Sequence, residues 1–307
     1  MSLLTYFLRR TGRAVVVVFG LVVVTFVLTR AVTDPVNLIL GVGSTAEQRA
    51  ALRAQLGLDQ PIPEQFVDYV VGVVQGDLGV SLWQNVPALP LIVERMPASL
   101  ALAGAATALA LVIGLTLGLL GGLKPGSRID RLSIALSALA VAIPDFWLGI
   151  VVIIIFAVEL GWLPTAGYGG IEHLILPAAT LSLRPAGRLA QVARDAVTDE
   201  MTKQYIVAAR ARGLTTSQYV VRHIFKNIAV PVTTIAGFDF LLLFAGYGAS
   251  LEVVFGWPGI GRLAVDAVIR EDVVLMTALV VVTGLIVSVG NILLDMLHAT
   301  IDRRIVD

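Results

Sequence analysis

Six long apolar runs constrain this chain more than any other feature of its sequence. They cover about residues 14–32, 98–122, 132–158, 174–196, 230–252 and 275–297. Each has roughly the 20 residues with which a helix, rising about 1.5 Å per residue, crosses a hydrocarbon core of about 30 Å. Backbone groups in lipid must find partners within their own segment, so the runs predict helices and not strands. The sequence therefore predicts an all-α, polytopic membrane protein with six transmembrane helices.

The composition excludes several other classes of protein. The chain is 57% hydrophobic and 14% charged, with a mean hydropathy of +0.88, and a soluble fold of 307 residues does not need so many apolar side chains. A formal net charge of zero gives no sign of nucleic-acid binding. Without cysteine there is no disulfide framework and no thiolate metal site.

The positions of lysine and arginine predict the orientation in the membrane. With the N-terminus in the cytoplasm, most of the 22 basic residues fall in inside segments: Arg9, Arg10, Arg13, Lys124, Arg128, Arg131, the eight between residues 184 and 226, Arg303 and Arg304. This bias favours both termini inside. It divides the chain into a cytoplasmic N-terminus with the first transmembrane helix (1–33), an extracytoplasmic helical segment (34–97) and a five-helix core (98–307) with a cytoplasmic loop at 197–229. Gly57 and Gly76 are expected to end two short helices in the outer segment.

Catalytic motifs are missing from the sequence. His173, His223 and His298 form no metal-ligand pair, and Lys124, Lys203 and Lys226 precede Pro, Gln and Asn, whereas a phosphate-binding loop has Lys followed by Ser or Thr. We therefore expect no enzyme activity and no cofactor in this chain. If ATP drives the protein, ATP and magnesium are expected to bind to another subunit.

The stretch "AARARGLTTSQYVVRHIFKN" (208–227) concentrates basic residues, and no acid occurs from Met201 to Phe238. Helical spacing up to Gly213, followed by Thr215 and a stripe at Val220, Ile224 and Ile228, predicts two short helices joined at the glycine. One interpretation is a rigid knob that docks on an acidic groove of a soluble partner. The other is that the charges only fix the topology, because inside loops are basic in most membrane proteins.

Motifs along nearly the whole chain resemble one known family. "YIVAARARGL" followed by "RHIFKNIAVPV" is similar to the cytoplasmic EAA-type loop of ABC importer permeases of the dipeptide/oligopeptide/nickel group, although Val207 stands where the general pattern has an acid. The other similar segments follow in order: "GLDQPIPEQF", "GDLGVS", "IPDFWLG", "LGWLPTAG", "LILPAATL", "EVVFGWPGIGR" and "LLDMLHATIDRR".

This resemblance implies a type I importer permease fold and several partner proteins. A second homologous permease subunit would complete the pathway, two ATPase subunits would lie beneath it, and an extracytoplasmic substrate-binding protein would deliver cargo from outside. Residues 33–97 and the "GWPGIG" loop are expected either to form the surface where this protein docks and a gate over the path, or to pack as external helices over the bundle. The cytoplasmic loop would couple to the ATPase through Ala208, Ala209, Arg210, Arg212, Gly213, Leu214, Arg222, His223 and Asn227. The resemblance places the protein in the bacterial inner membrane.

Three charged residues are predicted at membrane depth: Asp145, Arg184 and Asp239. A charge at the bilayer centre costs roughly 2.5–3.5 kcal/mol on insertion scales, so each should face protein or water. Either they line the translocation path and meet the amine and carboxylate of a zwitterionic substrate, or Arg184 pairs with one aspartate and fixes helix register.

The sequence favours one function over two alternatives. It predicts the membrane-spanning permease subunit of an ATP-driven importer for di- or oligopeptides or related small solutes. The main alternative is an ion-coupled secondary carrier that uses Asp145 or Asp239, and a membrane enzyme is the third. The motifs do not distinguish a dipeptide, a longer peptide, a chelated metal or an opine-like cargo.

Overall fold

The computed structural model describes residues 3–32, 36, 40, 44–55 and 57–301. Arg303 and Arg304, which entered the orientation argument, lie outside the described residues. The long helices are α1 (Leu3–Val32), α4 (Ala88–Gly122), α5 (Arg128–Ala142), α7 (Ile171–Met201), α10 (Phe225–Leu242) and α13 (Val273–Ile301). Shorter ones are α2 (Ala46–Gln55), α3 (Ile62–Gln75), α6 (Asp145–Val152), α8 (Gln204–Ala211), α9 (Thr216–Tyr219), α11 (Ala249–Val254) and α12 (Ile260–Ile269), with π-helical turns at Ile153–Glu159, Val220–Ile224 and Leu243–Tyr247.

Among the described residues, four helical segments are long and apolar enough to cross a membrane: Phe7–Arg30, Ala88–Gly122, Thr216–Tyr247 and Val273–His298. A fifth is reached if the bent pair Arg128–Ala142 and Asp145–Glu159 counts as one span. The fourth predicted run lies in α7, a continuous helix of 31 residues that does not meet the same test by composition. The count of six transmembrane helices stays a prediction.

The third predicted span is bent and not straight. Its two halves meet at 99°, because Ile143 is extended (φ −79°, ψ 130°) and Pro144 caps the next helix. A proline disfavours the helical conformation in the residue before it. Asp145 therefore lies in the first turn of α6, where the helix dipole favours a negative charge, and not in the middle of a continuous helix as predicted.

The fifth predicted span is also different from the expectation. The apolar run predicts a span that begins at about residue 230, but helix continues from Thr216 to Tyr247, and Pro231 lies inside α10. The part of the cytoplasmic loop from Thr216 onward and this span are thus one continuous helical rod. The rod ends at Gly246, whose φ of +94° suits glycine.

Helix α4 lies at the centre of the helix packing, and its most extensive contact is with α7. A Cβ atom built on Gly114 would lie 2.6 Å from the Cβ atom of Leu189, and one on Gly118 would lie 2.6 Å from that of Ala193. The four-residue glycine spacing therefore lets the α7 backbone approach α4 closely. Within this chain, these glycines therefore contribute to ordinary packing of the helix bundle.

Three buried apolar clusters follow one another along α4. The first contains Ile92, Leu102, Leu251, Phe255 and Trp257, the second Ala110 with Leu189 and Val232, and the third packs on Leu119 and Leu123 at the other end. Many large apolar side chains elsewhere are exposed, such as Val16 on α1 at 70%. An exposed apolar surface of this kind is typical of contact with lipid or partner helices.

Candidate functional site

The basic stretch folds as two short helices joined at a glycine, as the sequence predicts. Helix α8 ends at Ala211 with Arg212 as its C-cap, and Gly213 takes a φ of +80° that residues with a Cβ atom adopt only at a cost. Thr215 then caps α9 in a reciprocal capping box, in which its own N–H donates to Gln218 Oε1 at 2.9 Å. We call residues 197–229 the knob.

The inner face of the knob is apolar and fixed to the bundle. Its buried members are Val197, Ile206, Ala209, Tyr219, Val220, Ile224 and Ile228, and they pack against Leu115, Leu119 and Leu123 near the end of α4. Ala209 is only 7% exposed. It therefore supports the knob from inside and does not present its side chain to a partner.

The outer face of the knob is basic. Ala208, Arg210, Arg212, Gly213, Arg222 and Asn227 are exposed, and Leu214 and His223 are half-buried. Arg210 lies over the Tyr219 ring, 5.3 Å from its centroid. Among the described residues, no acid forms an ion pair with Arg212 or Arg222. The face thus offers uncompensated positive charge.

Asn227 links three helices by hydrogen bonds, which its position in the sequence motif does not predict. Its Nδ2 donates to Tyr205 Oη at 2.7 Å and to Glu200 Oε2 at 3.1 Å, which ties the start of α10 to the end of α7 and the start of α8. Tyr205 also lies beside His223, with ring centroids 5.8 Å apart. These contacts keep the two halves of the knob together.

The three charges predicted at membrane depth line one cavity, which we call the path cavity. Asp145, Arg184 and Asp239 are joined there by Arg188 and Tyr247. The space open to the centre of a water molecule is about 10 Å³, about enough for one water. The cavity within a single chain is therefore narrow in this conformation.

The pairing inside the path cavity differs from the predicted one. Arg184 forms no ion pair with an aspartate of the described residues, and instead donates to Tyr247 Oη at 2.8 Å and to the carbonyl oxygen of Val141 at 3.4 Å. Arg188 is the residue that pairs with Asp239. Sequence reasoning did not place Arg188 in the site, although it lies four residues after Arg184 and so on the same helix face. No local signal indicates Tyr247.

Family models and individual relatives of this chain all belong to one family of transport proteins. Residues 110–307 match the model described as binding-protein-dependent transport system inner membrane component, and residues 3–103 match the model for the N-terminal part of such components. A putative peptide transport system permease protein of Brucella abortus is 34% identical over 307 residues, which cover 97% of this chain and 98% of that protein.

Two further relatives and one solved structure extend the comparison. The chain is 33% identical to the oligopeptide transport system permease protein AppB of Bacillus subtilis, with 98% of each chain covered. It is 34% identical to the glutathione transport system permease protein GsiC of Escherichia coli, again with 98% of each covered. An inward-facing structure of the MetNI methionine ABC transporter matches with a TM-score of 0.60 at 21% identity, over 69% of this chain and 96% of that one. This last likeness concerns the fold. None of these comparisons supports an ion-coupled carrier.

Proposed function

Since the chain belongs to the family of binding-protein-dependent transport system inner membrane components, it is a multi-pass membrane permease subunit, and we propose that it imports peptides or related small solutes with energy from separate ATPase subunits. The cargo class follows from relatives named for peptide, oligopeptide and glutathione transport. The partners in this proposal are a second permease, two ATPase subunits that hold ATP and magnesium, and an extracytoplasmic substrate-binding protein.

The proposed coupling to the ATPase subunits rests on how the knob is attached to the rest of the protein. Its apolar face is buried on α4 and α7, its basic face is free, and a continuous helix leads from it to Tyr247 beside the path cavity. A basic, rigid surface is complementary to an acidic cleft on an ATPase subunit. A pull on the knob would reach the cavity without an intervening flexible loop.

The knob and the N-terminal end of α4 lie on opposite sides of the bilayer in this proposal. Leu119, which packs under the knob, is 24 residues from Arg95 on the same helix, or about 36 Å at about 1.5 Å per residue. That distance exceeds the hydrocarbon core of about 30 Å. With the basic knob in the cytoplasm, both chain termini are on the inside and residues 34–97 are on the outside.

The path cavity is the second element of the proposed function. Peptides and glutathione carry both ammonium and carboxylate groups, and the cavity offers two guanidinium groups and two carboxylates at one depth. Asp145, Arg184 and Asp239 would thus meet cargo as it passes, while the path itself opens between this chain and the second permease. The narrowness of the cavity fits a closed resting state.

The test of the proposed function is co-purification of the tagged chain, expressed with its chromosomal neighbours, as native protein and as Gly213→Arg. The Cβ position at Gly213 has no atom within 4 Å, so the new side chain meets no neighbour, although the φ of +80° strains the backbone. We expect an ATPase subunit to bind the native chain and to be lost, or to hydrolyse ATP without uptake, in the variant.

Gly126→Arg is the matched control. Gly126 has a φ of +77° and likewise no neighbour within 4 Å of its Cβ position, but it lies in the turn between α4 and α5, outside the knob. Its strain should therefore match that of Gly213→Arg, and ATPase binding should persist. If no ATPase binds the native chain, or if both variants lose it equally, the knob is not the coupling element.

A further inference from the structure

A second cavity lies at the end of α4 opposite the knob. It has a volume of about 150 Å³ and is lined by Trp83, Gln84, Arg95, Pro258, Gly259, Arg262, Leu263 and Asp266. We call it the outer cleft. Its volume is close to that of an engineered cavity that accommodates one benzene molecule, so it has room for one side-chain-sized group and not for a whole peptide.

One wall of the outer cleft is held by a buried carboxylate. Asp272 is 0% exposed and accepts hydrogen bonds from Ser81 Oγ at 2.5 Å and from the N–H of Trp83 at 3.2 Å. Its other oxygen accepts from the N–H of Leu275 at 2.9 Å, in the first turn of α13. This aspartate fixes the turn that carries Trp83 and Gln84 against the helix bundle.

The opposite wall is held by a second buried carboxylate. Glu252, 2% exposed, accepts from the N–H of Arg262 at 2.8 Å and from Ser99 Oγ at 3.4 Å. Ser99 in turn accepts from the N–H of Ile260 at 2.7 Å. Glu252 and Ser99 thereby satisfy the first backbone donors of α12, and Arg262 is positioned on a rigid helix end.

The two arginines of the outer cleft are not fully compensated. Arg262 donates from Nη1 to the carbonyl oxygen of Gly256 at 2.9 Å and lies 4.0 Å from Asp266. Within the described part of the chain, no hydrogen bond or ion pair engages the guanidinium of Arg95. Among the side chains that line the cleft, two guanidinium groups therefore face one carboxylate, that of Asp266, while the carboxylates of Glu252 and Asp272 lie buried behind the walls.

A close backbone approach links a segment beside the outer cleft to a segment beside the path cavity. A Cβ atom on Gly246 would lie 3.1 Å from Gly261 Cα. The residue after Gly246 is Tyr247, which lines the path cavity, and the residue after Gly261 is Arg262, which lines the outer cleft. This contact therefore joins the segment that carries Tyr247 of the path cavity to the segment that carries Arg262 of the outer cleft.

We propose that the outer cleft is a subsite that binds a carboxylate group of the transported solute before it enters the path. This proposal rests on the proposed function. Guanidinium groups bind carboxylates by short, charge-assisted and often bidentate hydrogen bonds, and the size of the cleft admits one end of a solute. Arg95 and Arg262 receive the carboxylate on the outside, and Arg184 and Arg188 meet it after the Gly246–Gly261 contact has opened.

The experiment uses the assembled transporter in lipid nanodiscs without binding protein. N-acetyl-alanine and its neutral analogue N-acetylalaninamide are titrated separately, and binding is followed by saturation-transfer NMR. We expect saturable binding of the acid and none of the amide. Arg95→Gln and Arg262→Gln should each weaken binding of the acid at least tenfold, because each removes a charge-assisted contact.

Arg270→Gln is the matched control. Arg270 lies over the Trp83 ring, 5.1 Å from its centroid, and it does not line the cleft. Its replacement removes one positive charge from the same face, so binding should change less than twofold. Equal binding of acid and amide would overturn the proposal, as would unchanged binding in both cleft variants.

A second arm distinguishes the other source of a carboxylate, an acidic side chain of the binding protein. ATPase stimulation is titrated with binding protein in the same variants. If Arg95→Gln raises the half-stimulating concentration while the free acid does not bind the native protein, the cleft receives the binding protein and the solute proposal is wrong. Co-purification of the ATPase is checked in every variant. If the ATPase still binds, a negative result concerns only the outer cleft and not the proposed function.

Discussion

Arg188 pairs with Asp239 across the interface of α7 and α10, and this pair lies inside the path cavity. The two partners differ in exposure: the side chain of Asp239 is 1% exposed and that of Arg188 is 41% exposed. The second oxygen of Asp239 has no hydrogen-bond partner among the described residues. The arginine therefore compensates most of the charge of a nearly inaccessible carboxylate.

Replacing Arg188 alone should destabilise the protein more than replacing both partners. Arg188→Gln leaves the Asp239 carboxylate buried without its counter-charge, which costs about 3–5 kcal/mol. The double variant Arg188→Gln/Asp239→Asn removes both charges and should recover most of that loss. The measurement is thermal unfolding in detergent.

Arg10→Gln provides the comparison for this pair. Arg10 and Asp295 form an ion pair of 3.0 Å whose side chains are 40% and 19% exposed, and a more exposed pair contributes up to about 1 kcal/mol. A double variant no more stable than Arg188→Gln would show that the pair does not set the stability of this interface.

Arg184→Gln should abolish uptake without affecting assembly. Arg184 donates to a tyrosine hydroxyl and a carbonyl oxygen, so its loss breaks no ion pair of the described residues, while the cavity loses a guanidinium that cargo would meet. We expect uptake to fall at least tenfold, since a hydrogen bond to a charged group contributes about 1.5–3 kcal/mol. Asp145→Asn should have the same direction of effect.

Tyr247→Phe is the control for Arg184, because it removes only the hydroxyl that holds the guanidinium. Uptake should fall less than in Arg184→Gln. Uptake and ATPase co-purification are measured on the same preparations. Loss of the complex in Arg184→Gln would assign the arginine to helix register instead of the path.

Gly118→Ala should destabilise the contact between α4 and α7. The new methyl group would lie 2.6 Å from the Cβ atom of Ala193 and 2.8 Å from the carbonyl oxygen of Ala190, and overpacking of this kind costs about 1–3 kcal/mol. Gly104→Ala in the same helix has no atom within 4 Å and should be neutral or stabilise by up to about 1 kcal/mol. Differential scanning fluorimetry of both variants checks this difference, and equal unfolding temperatures would contradict it.

The sequence was most informative where structure depends on residues close together in the chain. Gly213 and Thr215 predict the two helices of the knob because a left-handed turn and a helix cap are chosen by the residues at those positions. Gly57 and Gly76 end the two short helices of the outer segment in the same way, with φ angles of +65° and +81°. Pro144 disfavours helix at Ile143 and so indicates the bend in the third span. The length of the apolar run instead predicted a single straight helix there.

The sequence by itself therefore determined the helical membrane class and the two short helices of the knob, since helix period, capping and apolar length are local properties. Only the tertiary structure decided that Arg188 and not Arg184 pairs with Asp239, that Tyr247 joins the path cavity, and that Arg95 and Arg262 meet in one cleft. Those relationships join side chains between 51 and 167 positions apart in the chain, except for Tyr247, which lies eight residues from Asp239. They depend on how helices pack against each other, and the spacing of residues within one helix does not specify that.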